Sequence, residues 1–424
     1  MVNLLFAAVA VAMTNGEFRA TVDLGLGKSR ELRIPAFRLA GKDAKAATLD
    51  FNGVFWRLEA AGECDEDSVV APIKVGPEYR RTKPEPRSAR RPLEGGFAQY
   101  WRPHDWNAYV GDVVCTTFRD RLHVFYLYDR RHHRSKGGDP AKPEKYGAGG
   151  HFFAHISTAD LVHWTEEPDA VPLTEWWQTV GTGTPFVKDG KLCLAFAWHT
   201  ERIKNAEDKP RGATWAESED GVHFRLSNVY FHETRNPTVY NRPDGRFGMI
   251  VGYGKENGGM YVSDDLLKWS EVDKDIPSRG DCPCYFEWNG HHYLLQGFRH
   301  YCRSETGLKG SWRSCDAEAG DLYDKGRLNV PMVATWKGNR RFLIGWIGFP
   351  VEWWGGWLCF RELKQRPDGS LYTQWIPELP KPGRLVVNAC GSRTVEYLDP
   401  DGRYLLRDTE TRNGCHVDIV KVVP

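Results

Sequence analysis

The stretch "KDGKLCLAFAW", Lys188 to Trp198, sets a charged, glycine-bearing turn directly before a run of apolar and aromatic residues. An Asp-Gly pair feeding such a run marks a β-hairpin, because glycine accepts the positive φ that a tight turn demands. The arrangement recurs in "FRDRLHVFYLY" from Phe118, "PDGRFGMIVGYG" from Pro243, "WNGHHYLLQGF" from Trp288 and "KGNRRFLIGW" from Lys337. Recurrence at blade-like intervals predicts copies of one supersecondary unit.

A second pattern follows several of these hairpins: "HISTADLVHW" ending at Trp164, "AESEDGVHF" at Phe224, "YVSDDLLKW" at Trp269 and "RSETGLKGSW" at Trp312. Each reads as a strand, an Asp- or Gly-bearing turn and a bulky aromatic, as at the outer hairpin of a small antiparallel sheet. Helical periodicity is absent, so the pattern predicts an all-β chain whose residues 98–380 form a five-bladed β-propeller. Outside it, 78–97 is rich in Pro and Arg and reads as a linker, while 17–77 and 381–424 read as short strands that together make a small β-sandwich-like accessory region. Residues 1–16 carry an apolar run from Leu4 to Met13, which fits an export signal lacking its basic segment and implies a secreted or periplasmic protein.

Composition narrows the partners. The 424 residues hold 57 basic and 56 acidic side chains, a formal charge of +1, so no general field favours nucleic acid or an anionic membrane. The 17 Trp, 17 Tyr and 20 Phe suit a β-rich core, and tryptophan also serves as a platform for sugar rings. The ten cysteines are too sparse for a disulfide scaffold, and the C-x-C of Cys282 and Cys284 has no second pair at zinc-ligand spacing, so neither metal nor cofactor is expected.

In a propeller the innermost strands line a shared funnel, and acidic residues stand just upstream of several repeats: Asp112 before the first, Asp281 and Glu287 about the fourth, Asp321 and Asp324 before the fifth. Before the third stands Asn236, in "TRNPTVY". Carboxylates converging from different blades are what glycoside hydrolysis requires, one to attack the anomeric carbon and one to protonate the leaving oxygen. Taken singly, each aspartate reads first as a solvated turn residue, and it is the equivalent placement before successive repeats that points to a site. Arg235 is a candidate for sugar hydroxyls, Trp353, Trp354 and Trp357 for an aromatic platform, and the donor-rich loop Asp129–Gly138 for the pocket mouth.

"HISTADLVHW", "RNPTVY", "DCPCYF" and "FRELKQRPDGSLYTQWIPEL" resemble the successive signatures of glycoside hydrolase family 32, the β-fructosidases, related to the arabinan- and xylan-cleaving family 43. The likeness runs from Trp101 to Leu379. It implies a propeller glycosidase without a cofactor, acting on an oligo- or polysaccharide, with a nucleophile at Asp112 (Asp105 as the alternative), a transition-state stabiliser at Asn236 and an acid/base at Asp281. Two positions depart from the family pattern, which has Asp where this chain has Asn236 and Glu where it has Asp281. The first departure removes a negative charge from the place where an oxocarbenium-like transition state develops. Three readings follow: a furanosidase, a family 43-like arabinosidase or xylosidase, and a propeller that binds carbohydrate with impaired catalysis.

Overall fold

The computed structural model describes residues 8–14, 17–25, 28–35, 46–51, 54–60, 73–77, 88–93, 99–103, 109–129, 151–175, 177–200, 207–251, 258–277, 282–297, 299–308, 310–348, 354–380, 384–387, 391–398 and 404–421. Five antiparallel units of four strands follow one another, the middle three as separate sheets and the first and last joined in one ten-stranded sheet through the Gly356–Val110 pairing. Blade I comprises Tyr109–Phe118, Arg121–Asp129, Phe152–Thr158 and Trp164–Val171, and blade II comprises Thr184–Lys188, Lys191–Trp198, Gly212–Ser218 and Arg225–Leu226. Blade III runs through Pro237–Asn241, Phe247–Val251, Gly258–Ser263 and Ser270–Ile276, and blade IV through Cys284–Trp288, His291–Leu295, Tyr301–Ser304 and Arg313–Ser314. Blade V holds Leu328–Trp336, Arg340–Gly348, Gly356–Gln365 and Leu371–Gln374. The first strand of each blade touches the first strand of the next, and that of blade V returns to blade I, so the units close into a ring.

Polar side chains stitch this ring. Thr184 Oγ1 donates to the Val239 carbonyl at 2.8 Å and accepts from its N–H at 2.7 Å, joining blades II and III. Thr238 donates to the Pro283 carbonyl at the entry to blade IV, and Thr117 of blade I to the Thr335 carbonyl of blade V. Threonine suits the place, because its hydroxyl satisfies backbone groups that a neighbouring blade leaves unpaired while its methyl group packs.

The repeated sequence patterns become repeated geometry. Hairpin turns carry two successive positive φ values: Asp189 (51°) with Gly190 (74°), Asn289 (48°) with Gly290 (80°), and Gly338 (70°) with Asn339 (63°). Their twist matches that of paired strands. In the outer hairpins a Ser or Thr hydroxyl caps the turn: Thr158 accepts the N–H of Leu161, Ser218 that of Gly221 and Ser263 that of Leu266, each at 2.9 Å. Two residues later the aspartate takes two more N–H groups, as Asp265 does from Leu267 (2.8 Å) and Lys268 (3.0 Å). The closing Trp164 and Trp269 then donate their indole N–H back to the carbonyls of Leu161 and Leu266, both at 3.0 Å. The Ser/Thr-x-Asp tripeptide is therefore a local hydrogen-bond programme that fixes the turn and aims the aromatic inward.

Segments outside the ring lock onto it. Tyr100–Trp101 pairs with the third strand of blade V, and Arg91–Pro92, within the stretch expected to be a linker, pairs with the outer strand of blade I. Arg90 and Arg91 also meet Glu167 (2.9 Å) and Glu166 (2.8 Å), so this part of the basic run is spent on blade I. The N-terminal strands make two three-stranded sheets, the first of which begins with Ala8–Thr14, inside the stretch read as an export signal. Residues 384–421 make a four-stranded sheet whose last strand packs on the fifth blade.

That last junction is ionic. Arg361, 0% exposed, places Nη2 2.9 Å from Asp324 and 2.9 Å from Asp408 of the C-terminal sheet. Its guanidinium also lies 4.9 Å from the Tyr100 ring centroid. Two carboxylates and one aromatic face thus surround one desolvated cation. Gln365, four residues on, donates to the Tyr293 hydroxyl and, at 3.3 Å, to the Trp288 carbonyl of blade IV. The "RELKQRPDG" signature is therefore a latch between blades and sheet, remote from the funnel chemistry.

Candidate functional site

The first strand of blade I brings Asp112 to the centre of the ring, where it is 8% exposed. Trp346, at the end of the second strand of blade V, donates its indole N–H to Asp112 Oδ1 at 3.0 Å. Thr182, two residues before the first strand of blade II, donates its hydroxyl to Oδ2, and the Cys282 thiol at the entry to blade IV lies 3.7 Å from the same oxygen. Three blades other than its own thus hold one carboxylate. Such convergence fixes the direction of the carboxylate, a form of preorganisation.

Asn236 is 5% exposed and immediately precedes the first strand of blade III. Its neighbour Arg235 is half-buried, and the Arg235 carbonyl accepts from His199 Nε2 at 3.0 Å. His199 lies directly over Gly181, where a Cβ would come within 2.1 Å of Nε2. A short path of contacts therefore runs from Thr182 through Gly181 and His199 to Arg235 and Asn236.

Above Asp112 stands an aromatic wall. The half-buried Trp354 stacks on His151 with ring centroids 4.5 Å apart and planes 1° from parallel, and its centroid is 5.7 Å from that of Trp346. Gly111 makes this possible: a Cβ there would sit 2.1 Å from the Trp354 ring. Trp357, expected as a sugar platform, is instead 2% exposed within the main core, where no face is left for a ligand. Trp354, just ahead of the strand Gly356–Gln365, is only half-buried.

The other acidic candidates are corrected by their surroundings. Asp324 is sealed against Arg361, Asp321 pairs with Arg366 at 3.2 Å, and the exposed Glu287 accepts from the Tyr285 hydroxyl at 2.6 Å. These partners differ from Trp346, Thr182 and Cys282, which hold Asp112. Asp281, Asp105, Trp353 and all of Arg130–Gly138 lie outside the described residues. Among the described residues no group of three or more His, Cys, Asp or Glu side chains is placed to hold a metal ion. The eight described cysteines are all buried and unbridged.

Sequence reasoning missed Trp346, Thr182 and Cys282 as partners of Asp112. Trp346 had a signal, since it closes its repeat strand as Trp198 closes "KDGKLCLAFAW" and so reaches the same end of the blade. Thr182 sits in "GTGTP", whose glycines permit close approach between strands.

Comparison with known proteins agrees with this geometry. The profile of the glycosyl hydrolases family 32 N-terminal domain matches residues 116–352, more than half of the chain. A probable sucrose-6-phosphate hydrolase of Psychromonas ingrahamii is 25% identical over 54% of this chain and 49% of its own length. The sucrose-6-phosphate hydrolase of Bacillus subtilis is 24% identical over 66% of this chain and 68% of its own. The chain spans about half the length of the first of these relatives. Among solved structures, a fructofuranosidase of Schwanniomyces occidentalis complexed with fructosylnystose aligns with a TM-score of 0.50 at 13% identity, over 77% of this chain and 80% of that one, a likeness of fold. The ring of five four-stranded units, the central carboxylate and the profile match lead to one assignment: this chain belongs to glycosyl hydrolase family 32.

Proposed function

We propose that this protein hydrolyses O-glycosidic bonds of a fructofuranosyl or similar furanosidic glycan, with Asp112 as nucleophile and Asp281 as acid and base. The observation that carries the reading is the buried Asp112 carboxylate, held by donors from blades II, IV and V. Asp112 attacks the anomeric carbon as the glycosidic bond breaks, and the Asp281 carboxyl gives its proton to the leaving oxygen. The Asp281 carboxylate then takes a proton from water, whose oxygen displaces Asp112 and frees the sugar. Asp281 precedes Cys282, whose thiol touches Asp112, which supports giving it this role. Trp354 offers its face to the apolar side of the sugar ring.

Asn236 sets the expected rate. An amide gives sugar hydroxyls neutral hydrogen bonds, roughly half as strong as those to a carboxylate, and adds no charge against an oxocarbenium-like transition state. This residue favours a second reading, a propeller that retains sugar binding with impaired turnover. The test is product release, followed by mass spectrometry, from sucrose, sucrose 6-phosphate, levan, inulin, and arabinan and xylan oligosaccharides, using wild type and Asn236→Asp. Fructose release by wild type supports the hydrolase. Turnover in Asn236→Asp alone supports the binding protein, and no release by either protein contradicts the proposal.

A further inference from the structure

Blades I to IV each set a buried side chain near the start of the first strand, at Asp112, Thr182, Asn236 and Cys282. Blade V supplies Trp346 from its second strand. Its first strand, Leu328–Trp336, carries at its second position a half-buried polar residue that plays no part in the chemistry above, Asn329.

A bulge aims this residue. Farther along the strand Met332 stands opposite Ile344, so an unbroken register would set Val330 opposite Trp346. Asn329 stands there instead, because Val330 and Pro331 together face the single residue Gly345. The backbone is strained accordingly: Val330, although β-branched, holds a φ of 43°, a region such residues rarely enter. Two features fix the distortion. The Val330 N–H donates to the Gly297 carbonyl beside blade IV at 2.8 Å, and Gly345 leaves room, since a Cβ there would come within 2.7 Å of the Asn329 carbonyl oxygen. Strain that re-aims one side chain beside a reactive group points to a use for that side chain.

Directly opposed residues of an antiparallel pair put their side chains on one face, about 4.5–5.5 Å apart at Cβ. Asn329 therefore shares a face with Trp346, whose indole N–H reaches Asp112 at 3.0 Å and whose ring centroid lies 5.7 Å from that of Trp354. Asn329 Nδ2 donates one proton to the Arg327 carbonyl at 2.9 Å, which fixes the amide. Among the described residues this is the side chain's one hydrogen bond, so Oδ1 and the second N–H stay open to a ligand. An uncharged group with one acceptor and one donor open matches a sugar hydroxyl, which fills either role.

From this placement we infer that Asn329 contacts the substrate: its amide hydrogen-bonds one hydroxyl of the neutral sugar ring held at Asp112, and so selects for sugars that carry a hydroxyl there. The inference deepens, and rests on, the reading of the Asp112 site as a sugar site.

The test is a double-mutant cycle between protein and sugar. Binding of fructose, arabinose and xylose to the full chain is measured by calorimetry for wild type, Asn329→Ala and Asn329→Leu, and repeated with the monodeoxy analogues of whichever sugar binds wild type most tightly. Asn329→Leu keeps the volume should alanine unsettle the bulge. The expected result is that one analogue binds wild type about 3- to 10-fold more weakly than its parent, and binds both variants within about twofold of it. Equal discrimination by wild type and by a folded variant, or the absence of sugar binding by wild type, overturns the contact. The cycle is read from binding alone, which separates the two claims. A cycle found in a protein that turns over no glycan refutes the hydrolase alone, and glycan turnover without the cycle refutes the role of Asn329 alone.

Discussion

Replacing Arg361 by methionine keeps most of the side-chain volume and removes the only cation between Asp324 and Asp408 among the described residues. The guanidinium now gives Nε and Nη2 to Asp324 at 3.2 and 2.9 Å, and Nη1 and Nη2 to Asp408 at 3.2 and 2.9 Å. All three side chains are almost wholly buried, so the variant leaves two carboxylates desolvated and unpaired. Breaking such a set costs about 3–5 kcal/mol, a large part of the roughly 5–15 kcal/mol that holds a domain together. The melting temperature should fall by roughly 5–10 °C near neutral pH.

The pH dependence follows with a definite sign. Burial already pushes the Asp408 carboxyl up to about 6 with Arg361 in place, against about 3.9 in an unfolded chain. Without the cation it rises further. Between the unfolded and folded values the native state binds a proton that the unfolded state lacks, so stability from this group is fully present below about pH 4 and is lost as pH rises through the folded value. The gap between wild type and Arg361→Met should therefore narrow from about pH 7.5 to about pH 5. Thermal melts followed by circular dichroism measure it. A loss under about 1 kcal/mol near neutrality, or a gap that widens on acidification, would refute the reasoning.

Three further outcomes follow. Trp346→Phe keeps an aromatic ring and deletes one charge-assisted bond to Asp112, so turnover should fall about 10- to 100-fold with little change in melting; an unchanged rate would remove Trp346 from the site. Gly111→Ala forces the Trp354 ring off its seat, so substrate affinity should weaken and tryptophan fluorescence should shift, and an unaltered spectrum would contradict the close approach. His123, whose Nδ1 lies 3.0 Å from His155 Nε2, is held by burial at about 4, and burial lowers His155 as well. Between about pH 6.5 and pH 4 the unfolded chain binds protons that the native pair refuses, so stability falls with pH, and His123→Gln should make that decline shallower.

The ring was legible because its signals are local. Asp-Gly and Asn-Gly turns and the Ser/Thr-x-Asp caps encode their own hydrogen bonds within a few residues, so "YVSDDLLKW" announces its geometry before any tertiary contact forms. The surroundings of Asp112 are the opposite case. Its partners Thr182, Cys282 and Trp346 stand 70, 170 and 234 residues away in sequence, and only closure of the ring brings them together. Trp357 was misread for a related reason: a tryptophan suits a sugar face and a core equally, and burial is decided by the neighbouring blade. The "RELKQRPDG" stretch was recognisable as a signature, yet its work, pairing a buried Arg361 with Asp408, depends on a sheet that begins beyond it.

The central claim is that Asp112 is the nucleophile, and the most direct measurement compares glycan turnover by wild type and Asp112→Asn. The amide keeps the shape, accepts hydrogen bonds at only one of the two positions where the carboxylate accepts them, and cannot supply the attacking anion. The account predicts a loss of at least about 1,000-fold with the protein still folded and still binding sugar. Turnover within about tenfold of wild type would place the nucleophile elsewhere and contradict the account.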